Sequence, residues 1–369
     1  MDKPLAGLKV VELARILAGP WAGQLLADLG AEVIKVERPE VGDDTRHWGP
    51  PFAPDGASAY FHSCNRGKSS VAIDLETAQG QAQVRALVAE ADVLIENFKV
   101  GGLAKYGLDF PSLSEINPRL VYCSITGFGQ TGPYSARAGY DFIIQGMGGA
   151  MSLTGEPDGA PQKSGIAYAD LFTGLYASVA ILAALRERDR SGRGAHIDMA
   201  LLDTQVAVLA NQALNWMVSG DVPPRMGNGH SNLVPYQAFR AADGEVIVAV
   251  GNDAQFERLC GILALQELAR DERFRTNPAR VNNRDALIPL LDQAIQRRGC
   301  GEFSGALEEA GIPAGPINDL AAVFADPQVV HRRLRIEGDV PGLASPIVID
   351  GKRQVAEPPS PRLGRQQPC

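Results

Sequence analysis

Nothing in this chain pairs up as a disulfide framework or a metal site would require. The five cysteines, Cys64, Cys123, Cys260, Cys300 and Cys369, are odd in number and far apart, with no C-x-x-C among them. That excludes a disulfide scaffold and a zinc knuckle and leaves reduced thiols as the simple reading. The five histidines, His47, His62, His196, His230 and His331, never fall at metal-ligand spacing, and no serine sits in a G-x-S-x-G elbow. Metal catalysis and serine hydrolysis both lack their residues, and no metal is expected. A positive balance is missing too. The formal charge of −8 argues against a nucleic-acid partner, because phosphate binding depends on clustered Lys and Arg. No apolar run looks long enough to span a bilayer, and the N-terminus lacks a cationic start followed by an apolar stretch and a cleavage site. No membrane partner is expected, and a cytoplasmic address follows by default. Repeats and low-complexity tracts are also absent, which removes solenoids and linker arrays.

What is present describes a loop-rich globular enzyme: 45% hydrophobic residues, 21% charged, 40 Gly and 25 Pro. A length of 369 residues exceeds what one ordinary core fills, so one large and one smaller domain are expected. The first third alternates short apolar strands (8–13, 33–36, 71–75, 93–96, 120–125) with amphipathic helices (21–29, 80–91), the pattern of a parallel sheet covered by helices. An apolar run over 171–185, a short strand over 196–199 and another apolar helix reaching Trp216 follow. These helices are too apolar to face water and need cover from the sheet or from a second copy of the chain. Composition changes near Gly220, with Pro223-Pro224 and then a strand over 245–250 and helices to about Ala310. The expected division is a large domain over 1–220, a small domain over 221–312, and a Pro- and Gly-rich segment over 313–369 that wraps back onto the large one.

Two glycine motifs fail on context. Gly127-Phe128-Gly129-Gln130-Thr131-Gly132 has the G-x-G-x-x-G spelling after a strand, but Pro133 and Gly139 give a loop where a dinucleotide fingerprint needs a helix. Gly67-Lys68-Ser69 lacks the upstream glycine of a P-loop, since His62 stands there, and a strand follows. Asp170 is the informative acid, set among small apolar residues at the start of the long helical run. As a plain structural residue it reads as a helix N-cap; the dipole of a helix start would also keep its carboxylate ionised for attack. Arg38, Arg46, Arg66, Lys68, Lys99 and Lys105 lie in loops or at element ends, each a solvated surface charge by itself, and together a set that could neutralise a nucleotide's phosphates.

Taken in order, Ala18-Gly19-Pro20, the run from Ala27 to Glu37, Gly42 to Arg46, Asn65-Arg66-Gly67-Lys68, Glu96-Asn97-Phe98, Gly127 to Pro133, Tyr140-Asp141, Leu153 to Glu156, Ala169-Asp170, Thr173-Gly174-Leu175, Ser191 to Gly194 and Pro313 to Pro316 cover nearly the whole chain. They resemble the class III CoA-transferases, the CaiB/BaiF family that includes formyl-CoA transferase. The resemblance implies an α/β fold with a Rossmann-like large domain built from both chain ends, a smaller α/β domain, and an interlocked homodimer. It implies acyl-CoA and a small carboxylic acid as partners, coenzyme A as substrate, and no permanently bound cofactor. It matches Asp170 to the family's nucleophile, which would attack an acyl-CoA thioester, pass through a mixed anhydride, and carry CoA as an aspartyl thioester.

For the CoA cleft the resemblance carries over Arg38, Leu75, Asn97, Phe98 and Tyr140, with Lys105 where the family usually has Arg. Without the family, Phe98 and Tyr140 read as core packing and Asn97 as a turn. Arg15 and Leu17 stand where formyl-CoA transferase has His and Gln, and Gly251-Asn252-Asp253 replaces its glycine-rich loop, which makes oxalate a poor acceptor. The segment from Gly227 to Tyr236 looks like the subgroup using succinyl-CoA and small dicarboxylic acids; Arg15 is then a candidate for the distal carboxylate, with His230 assisting. Two other functions stay open. An α-methylacyl-CoA racemase of the same fold needs a His before the Asp of its Gly-x-Asp step, where this chain has Tyr140. A non-catalytic acyl-CoA binding protein would give no reason for a carboxylate at Asp170.

Overall fold

The computed structural model describes residues 3–364. Six strands, β1 (Lys9–Glu12), β2 (Glu32–Glu37), β3 (Lys68–Ala72), β4 (Val93–Glu96), β5 (Val121–Thr126) and β6 (Ala195–Ala200), form one sheet in the order β3-β2-β1-β4-β5-β6. Every neighbouring pair is parallel. The order reverses direction between β1 and β4, and in doubly wound sheets the crevice beyond the strand ends at that switch point is where ligands bind.

Successive side chains of a strand point to opposite faces, and both faces here are apolar. Val10, Val93, Ile95, Val121 and Cys123 join one core cluster with the helices Ala18–Asp28 and Tyr168–Ser191. Val11, Leu94 and Tyr122 join another with Ala78–Ala89 and Phe110–Ile116. The third strand lies earlier than the expected 71–75, because its first residues are polar and nonetheless buried: Lys68 Nζ pairs with Glu12 Oε2 at 2.8 Å, and Ser70 donates to Glu37 at 2.6 Å.

The helix Tyr168–Ser191 corrects one expectation. By length and composition it is apolar enough to cross a membrane, although no such run was anticipated. In this fold it is a core element: Ala177 and Ile181 are fully buried, and Arg188 near its end pairs with Asp92 at 2.8 Å. It crosses the helix Ala18–Asp28 closely at Gly174, where a Cβ would lie 2.5 Å from the Ala18 carbonyl oxygen. That approach brings Asp170, one turn earlier, to the β1 end of the sheet. The helix's other side is uncovered, for Phe172, Leu175, Tyr176 and Val179 form an exposed apolar stripe at helical spacing.

Contacts divide the described residues into two units. The first takes those within 1–150, 163–210 and 327–369, and the second takes Met151–Gln162 and Asn211–Asp326. The boundaries thus differ from those expected: the second unit begins at Asn211 rather than 221, runs to Asp326 rather than 312, and borrows 151–162 from the middle of the first. In the second unit β7 (Tyr236–Arg240), β8 (Glu245–Ala249) and β9 (Ala314–Pro316) make an antiparallel sheet. Helices between Asp253 and Glu309 pack on it through Phe256, Leu259, Leu287 and Phe303. Arg280, fully buried there, donates to Val234 O at 2.6 Å and Phe274 O at 2.9 Å and pairs with Asp253 at 2.8 Å.

Of the expected wrapping segment, residues 313–326 group with the second unit and those described from 327 onward with the large one, where buried charges hold them. Asp28 accepts from Arg66 Nη2 at 2.8 and 2.7 Å and from the backbone of Ala356 at 2.7 Å. Arg46 grips Glu37 with two bonds, at 2.8 and 2.7 Å, and donates to Pro361 O at 3.0 Å. Arg46, Arg66 and Lys68 are therefore internal ties with carboxylate partners, not surface charges available to a phosphate, which corrects half of the expected cationic set. Burial alone would discharge Lys35, but Glu12 and Asp43, at 3.0 and 2.9 Å, outweigh it and hold its pKa above the usual lysine range.

Candidate active site

The loop after β1 is built from an arginine held by an asparagine. Asn97, just past β4, accepts from the Arg15 N–H at 2.9 Å and donates back to the Arg15 carbonyl at 2.6 Å. The next residue, Ile16, has φ 73°, a conformation that β-branched residues rarely adopt. Asp43 accepts its N–H at 3.4 Å, so Asn97 and Asp43 together hold the turn. The Arg15 guanidinium lies 5.8 Å from the Phe98 ring centre and pairs with Asp44 Oδ2 at 2.8 Å; Arg38 takes the other Asp44 oxygen.

These loops wall a cleft of about 500 Å³ at the switch point. Arg15, Asn97, Phe98, Lys105, Tyr140 and Asp170, six of the residues singled out in the sequence, line it together. Arg38 reaches it only through Asp44. Leu75 does not line it, because its side chain packs against the core cluster beneath Ala78–Ala89. A larger cavity of about 670 Å³ follows the C-terminal segment past His62 and Arg66, but it holds none of these candidates.

Asp170 departs from both roles given to it as a plain helix residue. The helix begins after Ala167, whose side chain makes no cap, and the N–H groups of Ala169 and Asp170 are accepted by Asp141 Oδ1 at 2.9 and 3.3 Å. Asp170 is thus in the first turn, free of capping duty. Nor does the helix start keep it readily ionised: burial first, and the Asp141 charge second, push its carboxyl up to about 7. Such a carboxylate is a stronger base and nucleophile than a solvated one, held in a cleft with cationic walls.

Two residues that sequence reading left without a role belong here. Asp141 appears in the Tyr140-Asp141 pair, but its partners are 28 and 29 residues away along the chain, beyond any local spacing rule. Arg137 lines the cleft and lies 4.6 Å from the Tyr134 ring and 5.4 Å from Phe128; a lone Arg in a glycine-rich loop gave no signal. Arg15, Lys99, Lys105 and Arg137 leave the cleft able to hold a phosphate-bearing ligand.

The three remaining candidates belong to the second unit and are engaged in its own structure. His230 Nδ1 accepts the backbone N–H groups of Asn232 and Leu233 at 3.0 and 3.2 Å, which leaves Nε2 to carry the proton. Asn252 caps the helix Asp253–Ile262 by accepting from Gln255 N at 2.9 Å, and Gly251 N donates to Gln255 Oε1 at 2.7 Å. No cluster of three or more potential metal ligands occurs among the described residues.

A family model described as CoA-transferase family III matches residues 5–367. The chain belongs to CoA-transferase family III. Among family III relatives, the succinate–glutarate CoA-transferase of Agrobacterium fabrum (strain C58 / ATCC 33970) is 55% identical over 99% of this chain and 94% of its own length. The succinyl-CoA:glutarate CoA-transferase of Homo sapiens is 44% identical over 98% of this chain and 84% of its own. A crystal structure of a CaiB/BaiF family protein from Brucella suis is 58% identical, covers 99% of this chain and 97% of that one, and superposes with a TM-score of 0.88. As a family III member the protein is a CoA-transferase.

Proposed function

We propose that this enzyme moves coenzyme A from succinyl-CoA to a small dicarboxylic acid, glutarate first among them, through acyl intermediates on Asp170. One observation carries the reading: a carboxyl with a pKa raised to about 7 lines a cationic cleft at the switch point of a doubly wound sheet. The relatives named above supply the substrates, since they are named for succinate or succinyl-CoA and glutarate. Lys99, Lys105 and Arg137 are suited to the phosphates of CoA, while Asn97 and Phe98 support the wall on which it lies. Arg15 is suited to the distal carboxylate of the acid, which would share its guanidinium with Asp44. Asp170 itself attacks the thioester carbonyl; the CoA thiolate returns to the anhydride and forms the aspartyl thioester, and the acceptor acid reverses the sequence.

The working molecule on this reading is a pair of interlocked chains. The stripe of Phe172, Leu175, Tyr176 and Val179 supports it, as do Leu214, Met217 and Val218, all exposed within their own unit. The test is chemical. The protein is mixed with succinyl-CoA and hydroxylamine, and peptides are searched by mass spectrometry for a hydroxamate at Asp170, with Asp170→Ala as control. A hydroxamate at that residue is expected. Its absence across several acyl-CoAs, with deuterium entering the α-carbon instead, would replace transfer by proton exchange.

A further inference from the structure

The carboxylate of Asp141 is used on both oxygens. Oδ1 accepts the N–H groups that open the Asp170 helix, and Oδ2 accepts from Gln145 Nε2 at 2.6 Å. Gln145 is almost wholly buried and its own Oε1 takes the Ser164 N–H at 2.9 Å, so the amide is fixed and Asp141 is held from behind. A neutral side chain with one acceptor oxygen would serve those helix N–H groups as well; serine and asparagine are common caps. The negative charge is the part that capping does not explain.

The geometry points to Asp141 as a positioning residue that fixes the first turn carrying Asp170 and sets a like charge beside it, so that acylation of Asp170 relieves the repulsion. This rests on the acyl-transfer reading of Asp170. In that sequence an Asp170 oxygen bonds to the thioester carbonyl carbon, the C–S bond breaks and CoA leaves as thiolate. The thiolate then bonds to the aspartyl carbonyl carbon, the C–O bond of the anhydride breaks, and succinate leaves with the electron pair. One thioester and one carboxylate enter and one of each remain, but the charge has left the neighbourhood of Asp141. The rise of Asp170 to about 7 has the matching causes, burial first and Asp141 next. Other groups facing this site are Tyr60, whose phenol stays protonated through burial first and the Asp170 charge second, Arg15 with its partner Asp44, and Arg137 over its two rings.

The test reads protonation directly, without needing turnover. Full-length parent, Asp141→Asn and Asp141→Ser proteins are treated with a water-soluble carbodiimide and an amine from pH 4 to 9, and labelling of Asp170 is followed by peptide mass spectrometry. Both variants keep an acceptor oxygen for the helix N–H groups. The labelling midpoint is expected to fall by about one pH unit in each, while staying above that of a free aspartate because burial remains. At a fixed ratio of succinyl-CoA to succinate, trapped aspartyl intermediate should then drop about tenfold, the equilibrium equivalent of that unit. An unchanged midpoint in both folded variants overturns the role given to Asp141. A shifted midpoint with no trapped intermediate in any protein, parent included, leaves the electrostatic role standing and rejects acyl transfer on Asp170 instead.

Discussion

Replacing Asp170 by asparagine should stabilise the protein while abolishing transfer, and the gain should depend on pH. The folded carboxyl is raised from an ordinary 3.8 to about 7. A raised folded pKa means that the proton favours the native state: its contribution is fully present below 3.8 and is lost as pH rises through 7. At pH 8 the native state carries the whole burden of a buried charge, about 4 kcal/mol for roughly three pKa units at 1.36 each. At pH 5 the native carboxyl is protonated and the unfolded one is not, which reduces the difference to below about 2 kcal/mol. The amide of the Asp170→Asn variant never ionises and escapes both. Melting followed by dye fluorescence should therefore show a gain on the order of 10 °C at pH 8 and less than half of that at pH 5. An equal gain at both pH values, or a loss at pH 8, would refute the claim that Asp170 is held ionised against its surroundings.

Three further outcomes follow from contacts already described. Gly174→Val should lower the melting temperature and the yield of active protein, since the Ala18 carbonyl occupies the space its Cβ needs; overpacking of this kind costs about 1–3 kcal/mol. Arg280→Met should destabilise the second unit by about 2–4 kcal/mol in urea titration, because two buried carbonyls lose their donor while half-exposed Asp253 is left to solvent. Arg15→Met should raise KM for glutarate about tenfold or more and leave KM for a monocarboxylic acceptor much less affected, which steady-state kinetics on the two acids would separate.

The parallel sheet was legible because its strands are apolar on both faces: residues 93–96 were read correctly to the residue, and β1, β2 and β5 within one or two. The third strand was misplaced for a physical reason. Lys68, Ser69 and Ser70 look like a loop until Glu12 and Glu37, which lie on β1 and β2, are placed beside them. Asp170 was found, but its surroundings were not, since neither burial nor the charge of Asp141 has a local signature. In the sequence Arg46 and Arg66 read as exposed cations, because nothing nearby in the chain announces Glu37 and Asp28 as their partners. The transfer of 151–162 to the second unit was invisible for the same reason, with no change of composition to mark it.

The way the large unit is tied off has a consequence for how it comes to exist. Asp28 and Arg46 are made early, yet backbone partners for both arrive only with Ala356 and Pro361, and Ser70 waits for Gly364. A chain emerging from the ribosome at about 5–20 residues per second would hold these positions without those partners for tens of seconds. The nascent large unit therefore remains an open clasp until residues 356–364 have been made, and its closure joins positions 294 to 328 residues apart.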